Sequence, residues 1–324
     1  MRVLITGGCG FVGSAVVRLA ADRGDPILNI DRRRKSNPIP ALASVANAPG
    51  YARLEADISD RTLMRAVFRE FKPDAVIHLA SAGEDLDENR LFDSEITGAF
   101  SVLEASRAHY LSLDEAARER FRIVHAQRAD GDGAVEPTPV EAARTAAAAL
   151  FDNWSQAYRL PLITCVADQV FGPWQSDACL LSRMIASLLN GQPYKFDMGG
   201  KTVRDWLPVA DFASGLIRAA EAGAPLSRFE FSAGAERSDI DLAEAVCALL
   251  DARSPMPSSV SWSALIGAEG DGSKASGGPM LDPGDAEKQL GWRSRGFHSG
   301  LDRALNWALS RYAAKRPAHA IAAE

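Results

Sequence analysis

Hydrophobic residues occur along the chain in two alternating patterns, short unbroken runs and stretches with helical spacing. Residues 2–6 form a run rich in β-favouring side chains that ends at a glycine-rich turn. Val12, Val16 and Leu19 then recur with helical periodicity, which predicts a helix over residues 11–21. The chain therefore begins with a strand, a glycine turn and a helix, in that order.

The same alternation continues and predicts the fold class. Further strands are predicted over residues 26–30, 75–79, 121–125 and 162–166, and helices over residues 62–71, 92–108 and 140–158. Strands separated by helices indicate right-handed βαβ units, in which helices cover both faces of a parallel sheet. We expect an α/β fold of the Rossmann type, with a doubly wound parallel sheet.

The glycine turn carries the first candidate chemistry. Gly7, Gly8, Gly10 and Gly13 follow Thr6 at the end of the first predicted strand. Glycines at this spacing permit a tight turn, a close approach of the backbone to a pyrophosphate and tight packing of helix against strand. Because the helix that starts here also offers unpaired N–H groups to an anion, we predict a dinucleotide-binding loop.

The residues at the end of the second predicted strand bear on the choice of cofactor. Asp31 can accept hydrogen bonds from ribose hydroxyls, as expected for NAD. Arg32, Arg33 and Arg34 follow it, either as a solvated surface run or as partners for the 2′-phosphate of NADP. Because of these arginines, the sequence slightly favours NADP as the cofactor, with NAD as the alternative. The predicted cofactor-binding residues are Gly7, Gly10, Phe11, Val12, Gly13, Asp31, Arg32, Arg33, Asp57, Ile58, Leu79, Ala80, Ser81 and Ala126.

Composition and charge exclude several classes of function. The chain of 324 residues has a formal net charge of -6, which argues against nucleic acid as a partner. Its 4 cysteines show no pairing or metal-ligand spacing, so we expect reduced thiols in a cytoplasmic protein and no metal site. No apolar run approaches the roughly 18 to 20 residues that span a bilayer, so no membrane partner is expected.

A change of pattern in the second half predicts a second lobe. After Gly172 and Pro173 the alternation loosens, although helices remain predicted over residues 180–189, 211–222, 239–250 and 301–312. We predict a dinucleotide-binding domain over residues 1–170, to which part of 205–235 returns, and a smaller, interleaved substrate-binding lobe over 171–324. Residues 267–278 predict a flexible loop, and residues 315–324 a frayed tail.

Several motifs in sequence order resemble the extended short-chain dehydrogenase/reductases, especially the nucleotide-sugar 4,6-dehydratases and epimerases. The motifs are TGGCGFVG at 6–13, DAVIHLA at 74–80, VFGP at 170–173, VRDWLPVAD at 203–211 and DAEKQLGW at 285–292. The resemblance implies a nicotinamide cofactor. It also implies that Arg204 holds a substrate diphosphate, although an ion pair of Arg204 with Asp205 or Asp211 is an alternative.

The acid-base residues of that family are replaced in this chain. The resemblance places Val140 where the family has its proton-donating tyrosine, and Arg144 where it has lysine. It places Arg128 at the usual serine or threonine and Glu95 at the usual asparagine. Valine cannot donate a proton, and a guanidinium is a poor acid at neutral pH. The usual relay, which contributes about 10²- to 10⁴-fold to a rate, is therefore absent.

Three functions are compatible with this combination. The first is an NAD(P)H-dependent ketoreductase that reduces a polycyclic aromatic polyketide in antibiotic biosynthesis, with the proton supplied by a phenol of the substrate. In lacking the tyrosine, this chain resembles the atypical angucyclinone ketoreductases. The second is a non-catalytic dinucleotide-binding protein, and the third is a nucleotide-sugar enzyme with another acid-base set. Ser81, Gln127 and Arg144 are the candidates for orienting the substrate. Alternatively, Arg144 contacts the nicotinamide ribose, and Gln127 satisfies backbone groups at the strand end. The oligomeric state stays open.

Overall fold

The computed structural model describes residues 1–32, 39–81, 88–129, 138–234, 236–256, 261–270, 277–278 and 280–315. Its strands are β1 (Val3–Thr6), β2 (Ile27–Asp31), β3 (Tyr51–Glu55), β4 (Ala75–His78), β5 (Arg122–Arg128), β6 (Leu162–Ala167), β7 (Gln169–Phe171), β8 (Tyr194–Phe196), β9 (Val203–Pro208), β10 (Ser227–Glu230), β11 (Glu236–Ser238) and β12 (Ile266–Ala268). Its α-helices are α1 (Phe11–Asp22), α2 (Arg61–Phe71), α3 (Glu88–Phe92), α4 (Gly98–Ser112), α5 (Glu115–Arg120), α6 (Pro139–Tyr158), α7 (Leu180–Leu189), α8 (Val209–Ala222), α9 (Asp239–Arg253), α10 (Gly284–Leu290) and α11 (Phe297–Lys315). Arg33, Arg34, residues 271–276 of the predicted loop and the predicted tail beyond residue 315 lie outside the described residues.

Seven parallel strands form the central sheet, in the order β10-β6-β5-β4-β1-β2-β3. This sheet confirms the Rossmann-type α/β fold. The chain winds outwards from β1 to β3 and then from β4 to β10 on the other side, so the direction of winding reverses between β1 and β4. Open α/β sheets bind ligands at this point, in the crevice beyond the carboxyl ends of the strands.

Helices cover both faces of the sheet, which explains why its strands are continuous apolar runs. Val3 and Ile5 of β1 belong to the apolar core on the α1 and α8 face. Leu4 belongs to the core on the opposite face, which α2, α4 and α6 cover. All four residues of β1 are buried, so neither face of this strand reaches water.

A second apolar core lies in the later part of the chain. Helices α7, α9 and α11 pack around Phe171 and Trp206, whose side chains are fully buried. Trp206 lies in β9, which pairs with β7 in parallel and with β11 in antiparallel orientation. Between β9 and β11 the chain returns to the main sheet, because β10 pairs with β6 at its edge.

The helix predicted over residues 92–108 differs from the structure in one important respect. It begins at Glu88 and contains a π-helical turn, Asp93–Thr97, between α3 and α4. In this turn the N–H of Gly98 donates to the carbonyl of Asp93, five residues earlier. Turns of this kind are often found at functional sites. Hydrophobic periodicity did not predict the turn because apolar residues continue on both sides of it.

A buried carboxylate ties α8 to the segment that precedes α11. Asp211 is 2% exposed, and its Oδ2 accepts hydrogen bonds from the Ser294 hydroxyl and the Arg295 N–H, both at 2.7 Å. The indole N–H of Trp292 donates to the Asp211 carbonyl at 2.9 Å. Loss of the carboxylate would leave the Ser294 hydroxyl and the Arg295 N–H without this acceptor, whereas the Trp292 N–H would keep its backbone partner.

We expect Asp211→Ala to lower the free energy of unfolding by about 2 to 3 kcal/mol, because it leaves two donors unsatisfied. Asp211→Asn keeps an acceptor oxygen and should cost less. Urea-induced unfolding followed by tryptophan fluorescence measures both variants. An unfolding midpoint of Asp211→Ala equal to that of the wild type would contradict this account of the network.

Candidate cofactor and active site

The glycine turn after β1 is held against the end of β4 by a very close backbone approach. Gly7 has φ of 76°, a conformation that favours glycine. A Cβ atom at Gly7 would lie 2.5 Å from the backbone nitrogen of Ala80, and one at Gly13 would lie 2.1 Å from the Gly7 carbonyl oxygen. Both positions therefore require glycine, and the turn forms a shallow cradle of backbone atoms.

The start of α1 has the features of an anion-binding helix terminus and lies beside this cradle. The helix begins at Phe11, and its N-cap residue, Gly10, has no side chain that could cap the first N–H groups. The first turn contains no acidic residue. The positive end of the helix dipole is thus uncompensated by any side chain in that turn. A pyrophosphate fits these features, because helix N-termini in this setting bind phosphate groups.

Asn29 supports the turn from below, and sequence reasoning did not identify it. It is fully buried in β2, and its Nδ2 donates to the Tyr51 hydroxyl at 3.2 Å and lies 3.6 Å from the Cys9 sulfur. A Cβ at Gly8 would lie 2.3 Å from the Asn29 Oδ1. A polar residue in the middle of an apolar strand was the signal that could have revealed this role.

The residues predicted to contact adenosine lie at the carboxyl ends of β2 and β3. The Asp31 Oδ2 accepts a hydrogen bond from the Cys9 N–H at 2.7 Å, which places the carboxylate beside the turn. The Arg32 guanidinium donates to Asp57 Oδ2 at 2.9 Å and to the Ser94 hydroxyl at 3.1 Å. Although burial raises the pKa of Asp57, hydrogen bonds from Ser59 and the charge of Arg32 lower it overall.

The remaining predicted cofactor residues also surround the crevice. Ile58 is buried against Gly98, at which a Cβ would lie 2.8 Å from the Ile58 Cδ1. Leu79, Ala80 and Ser81 follow β4 directly, and Ala126 lies in the last part of β5. The ends of five neighbouring strands, β3, β2, β1, β4 and β5, thus bring the described members of the predicted set to one edge of the sheet.

The register of α6 places both substituted residues towards the sheet. Thr138 caps the helix through a reciprocal hydrogen-bonded pair with Glu141. Ala147, Phe151 and Ser155 are its buried residues, and Val140 and Arg144 continue their stripe at helical spacing. Val140 is half-buried and offers no polar atom to the crevice.

Arg144 belongs to a hydrogen-bonded chain that ends on a buried carboxylate. Its Nε donates to the Ser81 hydroxyl oxygen at 3.0 Å, and the Ser81 hydroxyl donates to Glu95 Oε1 at 2.6 Å. Glu95 lies in the π turn and is 5% exposed, so its carboxylate is shielded from water. Three residues from three separate elements therefore meet at the carboxyl edge of the sheet.

Two buried histidines lie on the same face, deeper in the sheet. His78 Nδ1 lies 2.7 Å from the Thr6 hydroxyl, and the His125 ring stacks on Phe151 at a centroid distance of 4.1 Å. Burial lowers the pKa of His78 to about 4. Burial, together with the neighbouring His78, lowers the pKa of His125 well below its usual range. Both rings are therefore neutral at pH 7 and have the character of core residues.

Gln127 and Arg128 lie at the end of β5, beside the crevice. The Gln127 Oε1 accepts a hydrogen bond from Arg228 at 3.4 Å, and its buried Nε2 has no hydrogen-bond partner among the described residues. The described backbone around Gln127 therefore makes no hydrogen bond with this amide, while residues 130–137 lie outside the described residues. Arg128, at the position of the usual serine or threonine, is exposed.

Arg204 of β9 is paired with a residue that the sequence did not suggest. Its Nε donates to Asp239 Oδ1 at 3.2 Å, and Asp239 is 4% exposed. Neither Asp205 nor Asp211 is the partner seen in this ion pair, so that expectation was wrong. The missed partner lies at the start of α9, 35 residues away in sequence.

The described residues contain neither a candidate metal centre nor a candidate membrane-spanning helix. Within the described ranges, no group of three or more histidine, cysteine or acidic side chains could hold a metal ion. None of the helices in those ranges has the length and apolar character needed to cross a bilayer.

Sequence comparison identifies related proteins along nearly the whole chain. A sequence model described as the NAD dependent epimerase/dehydratase family matches residues 3–230. The chain is 31% identical to dTDP-glucose 4,6-dehydratase of Neisseria gonorrhoeae over 336 aligned positions, with 95% of each chain covered. It is 28% identical to dTDP-glucose 4,6-dehydratase of Shigella flexneri, with coverage of 96% of this chain and 93% of that protein.

Solved structures with the same fold include sugar-nucleotide enzymes. A Bacillus anthracis dTDP-glucose 4,6-dehydratase in complex with NAD gives a TM-score of 0.80 at 19% identity, covering 96% of this chain and 97% of that one. The Streptomyces venezuelae dTDP-glucose 4,6-dehydratase DesIV gives 0.78 at 22% identity, covering 97% and 98%. At this level of identity the structures establish the fold alone.

The buried neutral His78 predicts a loss of stability in acid. Its pKa is about 4 in the folded chain against 6.5 for an ordinary histidine, so the unfolded chain binds more protons between these values. The free energy of unfolding should therefore decrease as the pH is lowered through this window. His78 alone should account for a decrease of about 2 kcal/mol between pH 7 and pH 4.5.

Urea unfolding of the wild type and of His78→Asn at both pH values measures this contribution. The variant should show a smaller loss on acidification, by about 2 kcal/mol, whatever its stability at pH 7. His298→Asn, at an exposed histidine, is the control and should keep the wild-type loss. An equal loss in all three proteins would show that His78 is not neutral in the fold.

Proposed function

Since this chain belongs to the NAD dependent epimerase/dehydratase family, we propose that it is an NAD-dependent oxidoreductase acting on a carbinol or ketone of a nucleotide sugar, with Ser81 and Glu95 as its acid-base pair. The observation that carries this proposal is the chain of hydrogen bonds from Arg144 through Ser81 to the buried Glu95. These hydrogen bonds start from Arg144 on the stripe of α6 that faces the crevice. The tyrosine and lysine of the resembled family would act at the same place.

The cofactor residues follow from the glycine cradle. Gly7, Gly10 and Gly13 would hold the pyrophosphate, and Asp31 would bind the adenosine ribose. We favour NAD over the NADP towards which the sequence tilted, because Arg32 is already bonded to Asp57 and Ser94. The complexes of related dehydratases with NAD support the same choice. Arg33 and Arg34 lie outside the described residues and do not enter the argument.

The proton chemistry is assigned to residues of this chain. The dinucleotide, when bound, supplies a hydride acceptor and donor at its nicotinamide ring. Ser81 Oγ would take the proton of the substrate hydroxyl while its own proton passes to Glu95 Oε1, and the reverse path would protonate a ketone. The Arg144 Nε–H would stabilise negative charge on Ser81 Oγ during the transfer.

The class of substrate rests on the relatives and on the second lobe. The two curated relatives named above are dTDP-glucose 4,6-dehydratases that align along nearly the whole chain. Arg204 lies in the motif that holds a diphosphate in the resembled family, although its pairing with Asp239 commits part of its charge. A nucleotide diphosphate would therefore compete with Asp239 for this guanidinium.

A second candidate function is favoured by Val140. This residue takes the place of the proton donor and offers no polar atom, so a substrate with its own phenol beside the reacting ketone would bypass the missing tyrosine. An aromatic polyketide, as in the angucyclinone ketoreductases, is such a substrate. The relatives named above lend no support to that finer resemblance, and it therefore ranks second.

We expect conversion of dTDP-glucose or a related nucleotide sugar in the presence of NAD, detected by mass spectrometry as loss of water or by NMR as an epimer. A hydroxy-tetralone with NADH, and its phenol-methylated form, test the second candidate by nicotinamide absorbance. Turnover of the free phenol alone would favour that candidate. Binding of NAD with no turnover of any substrate would contradict both and leave a dinucleotide-binding protein.

We expect Glu95→Gln to lower kcat/KM by about 10²-fold or more, because the amide cannot take the proton from Ser81. The affinity for NAD, measured by calorimetry, should change little, because Glu95 acts on the substrate proton. Glu104→Gln is the matched control in α4, where Glu104 accepts a hydrogen bond from Trp154. A Glu95→Gln enzyme with full activity would remove this residue from the mechanism.

We also expect NAD to bind at least tenfold more tightly than NADP. The Asp31 carboxylate repels a 2′-phosphate, and Arg32 is held by Asp57. Asp31→Ala should weaken the binding of NAD and reduce the difference in affinity between NAD and NADP. Calorimetric titration of both dinucleotides into both proteins measures these affinities, and tighter binding of NADP to the wild type would refute the assignment.

A further inference from the structure

We propose that the chain has a second binding site, for a phosphate monoester carried on an aromatic or nucleoside ring, at the opposite edge of the sheet. A cavity of about 640 Å³ opens there between α2 and α4. Its charged lining residues are Arg2, Arg65, Arg69, Lys72, Asp74 and Arg120. A volume of this size is within the range of small-molecule sites, about 300 to 1,000 Å³.

The cavity is separate from the crevice that holds the candidate active site. Arg2, Asp74 and Phe121 stand just before β1, β4 and β5, so the cavity adjoins the amino ends of these strands. The glycine turn and Ser81 follow the carboxyl ends of the same part of the sheet. A strand of four residues is about 13 Å long, so the two sites lie on opposite edges of the sheet.

The charges around the cavity are unbalanced. Five cationic side chains and a single carboxylate line it, in a chain whose net charge is -6. Asp74 accepts a hydrogen bond from the backbone N–H of Arg2 at 2.7 Å, and its other oxygen pairs with the Arg2 guanidinium at 4.0 Å. Arg69 is paired with Glu70 at 3.2 Å.

Three of the cations remain after these pairs are assigned. Among the described residues, the side chains of Arg65, Lys72 and Arg120 have no ion-pair or hydrogen-bond partner. Each can therefore turn towards a ligand without breaking an ion pair or a hydrogen bond to another described residue.

Helix ends do not account for these cations. The carboxyl ends of α2 and α4 both face this edge, and basic residues often bond the last carbonyl groups of a helix. In α4 that role belongs to Arg118, which donates to the carbonyls of Tyr110 at 3.0 Å and Leu111 at 2.6 Å. Arg122 likewise bonds backbone carbonyls, including that of Gly223 at 2.7 Å. Among the described residues, Arg65, Lys72 and Arg120 make no such bond, so these exposed cations stay available to a ligand.

The inner wall of the cavity is aromatic. The His109 ring meets Phe68 and Phe121 edge to face, at centroid distances of 5.9 and 5.2 Å. The His109 Nε2 donates to the Pro73 carbonyl at 2.9 Å, so its Nδ1 is an acceptor when the ring is neutral. The wall adds no charge at neutral pH, and it suits a ring better than a second anionic group.

The combination defines the chemical class of the ligand. Guanidinium groups bind phosphate oxygens in pairs of parallel hydrogen bonds, and an ammonium adds a point charge. Arg65 and Arg120 stand on α2 and α5, while Lys72 follows the end of α2, so a phosphate between them would meet cations from two helices. The ring attached to that phosphate would then lie towards the aromatic wall.

Calorimetric titration of the full-length protein, saturated with NAD, tests the site with phenyl phosphate, inorganic phosphate and phenol. We expect phenyl phosphate to bind more tightly than inorganic phosphate and phenol not to bind. The double variant Arg65→Ala with Arg120→Ala should weaken phenyl phosphate at least tenfold. Lys288→Ala with Arg293→Ala removes two exposed charges elsewhere and should leave the affinity unchanged.

Several results would overturn the proposal. They are no binding of phenyl phosphate at millimolar concentration, equal binding by both double variants, and equal affinity for phenyl phosphate and inorganic phosphate. Unchanged thermal unfolding of the variants would confirm that the exposed substitutions leave the fold intact. The measurement needs no turnover, so failure of the proposed oxidoreductase activity would not affect its outcome.

Discussion

The contact between the glycine turn and the end of β4 is the constraint on which the site depends. The Gly7 Cα approaches the Ala80 backbone so closely that no side chain fits between them. This contact joins the two halves of the sheet at the point where their winding reverses, and it fixes Ser81 one residue beyond Ala80. The cradle for a phosphate and the serine of the proton chain are therefore positioned by the same pair of backbone segments. A change in one would displace the other.

The fold was predictable because its main signals are local. Unbroken apolar runs gave β1, β4 and β6, and helical spacing gave α1, α2 and α6 to within a few residues. The strands β7 to β12 were not predicted, because all of them except the six-residue β9 have only three or four residues and carry too little periodicity. Their pairing depends on partners far away in sequence, such as β6 for β10. The position of an edge strand is a tertiary property.

The candidate site divides in the same way. The spacing of the glycines identified Gly7, and the resemblance to the extended short-chain dehydrogenase/reductases identified Val140 and Arg144. The partner of Ser81 was not identified, because Glu95 reaches it only through the π turn. Asn29 and Asp239 were not identified from the sequence for a related reason, because the role of a buried polar side chain depends on neighbours that only the fold reveals. The sequence predicted which residue types line the crevice, while their connections required the fold.

The π turn makes the length of the helix as important as its residues. A turn closed over five residues winds one more residue into the helix than an α-helical turn does. A deletion of one residue within Asp93–Thr97 would restore regular α-helical winding and leave the segments on either side in their present register, because the π turn contains the extra residue. The change would fall on the turn itself, which carries Ser94 and Glu95, and so on their contacts with Arg32 and Ser81. Among related chains, a gap of a single position here would thus separate proteins with this polar arrangement from proteins without it.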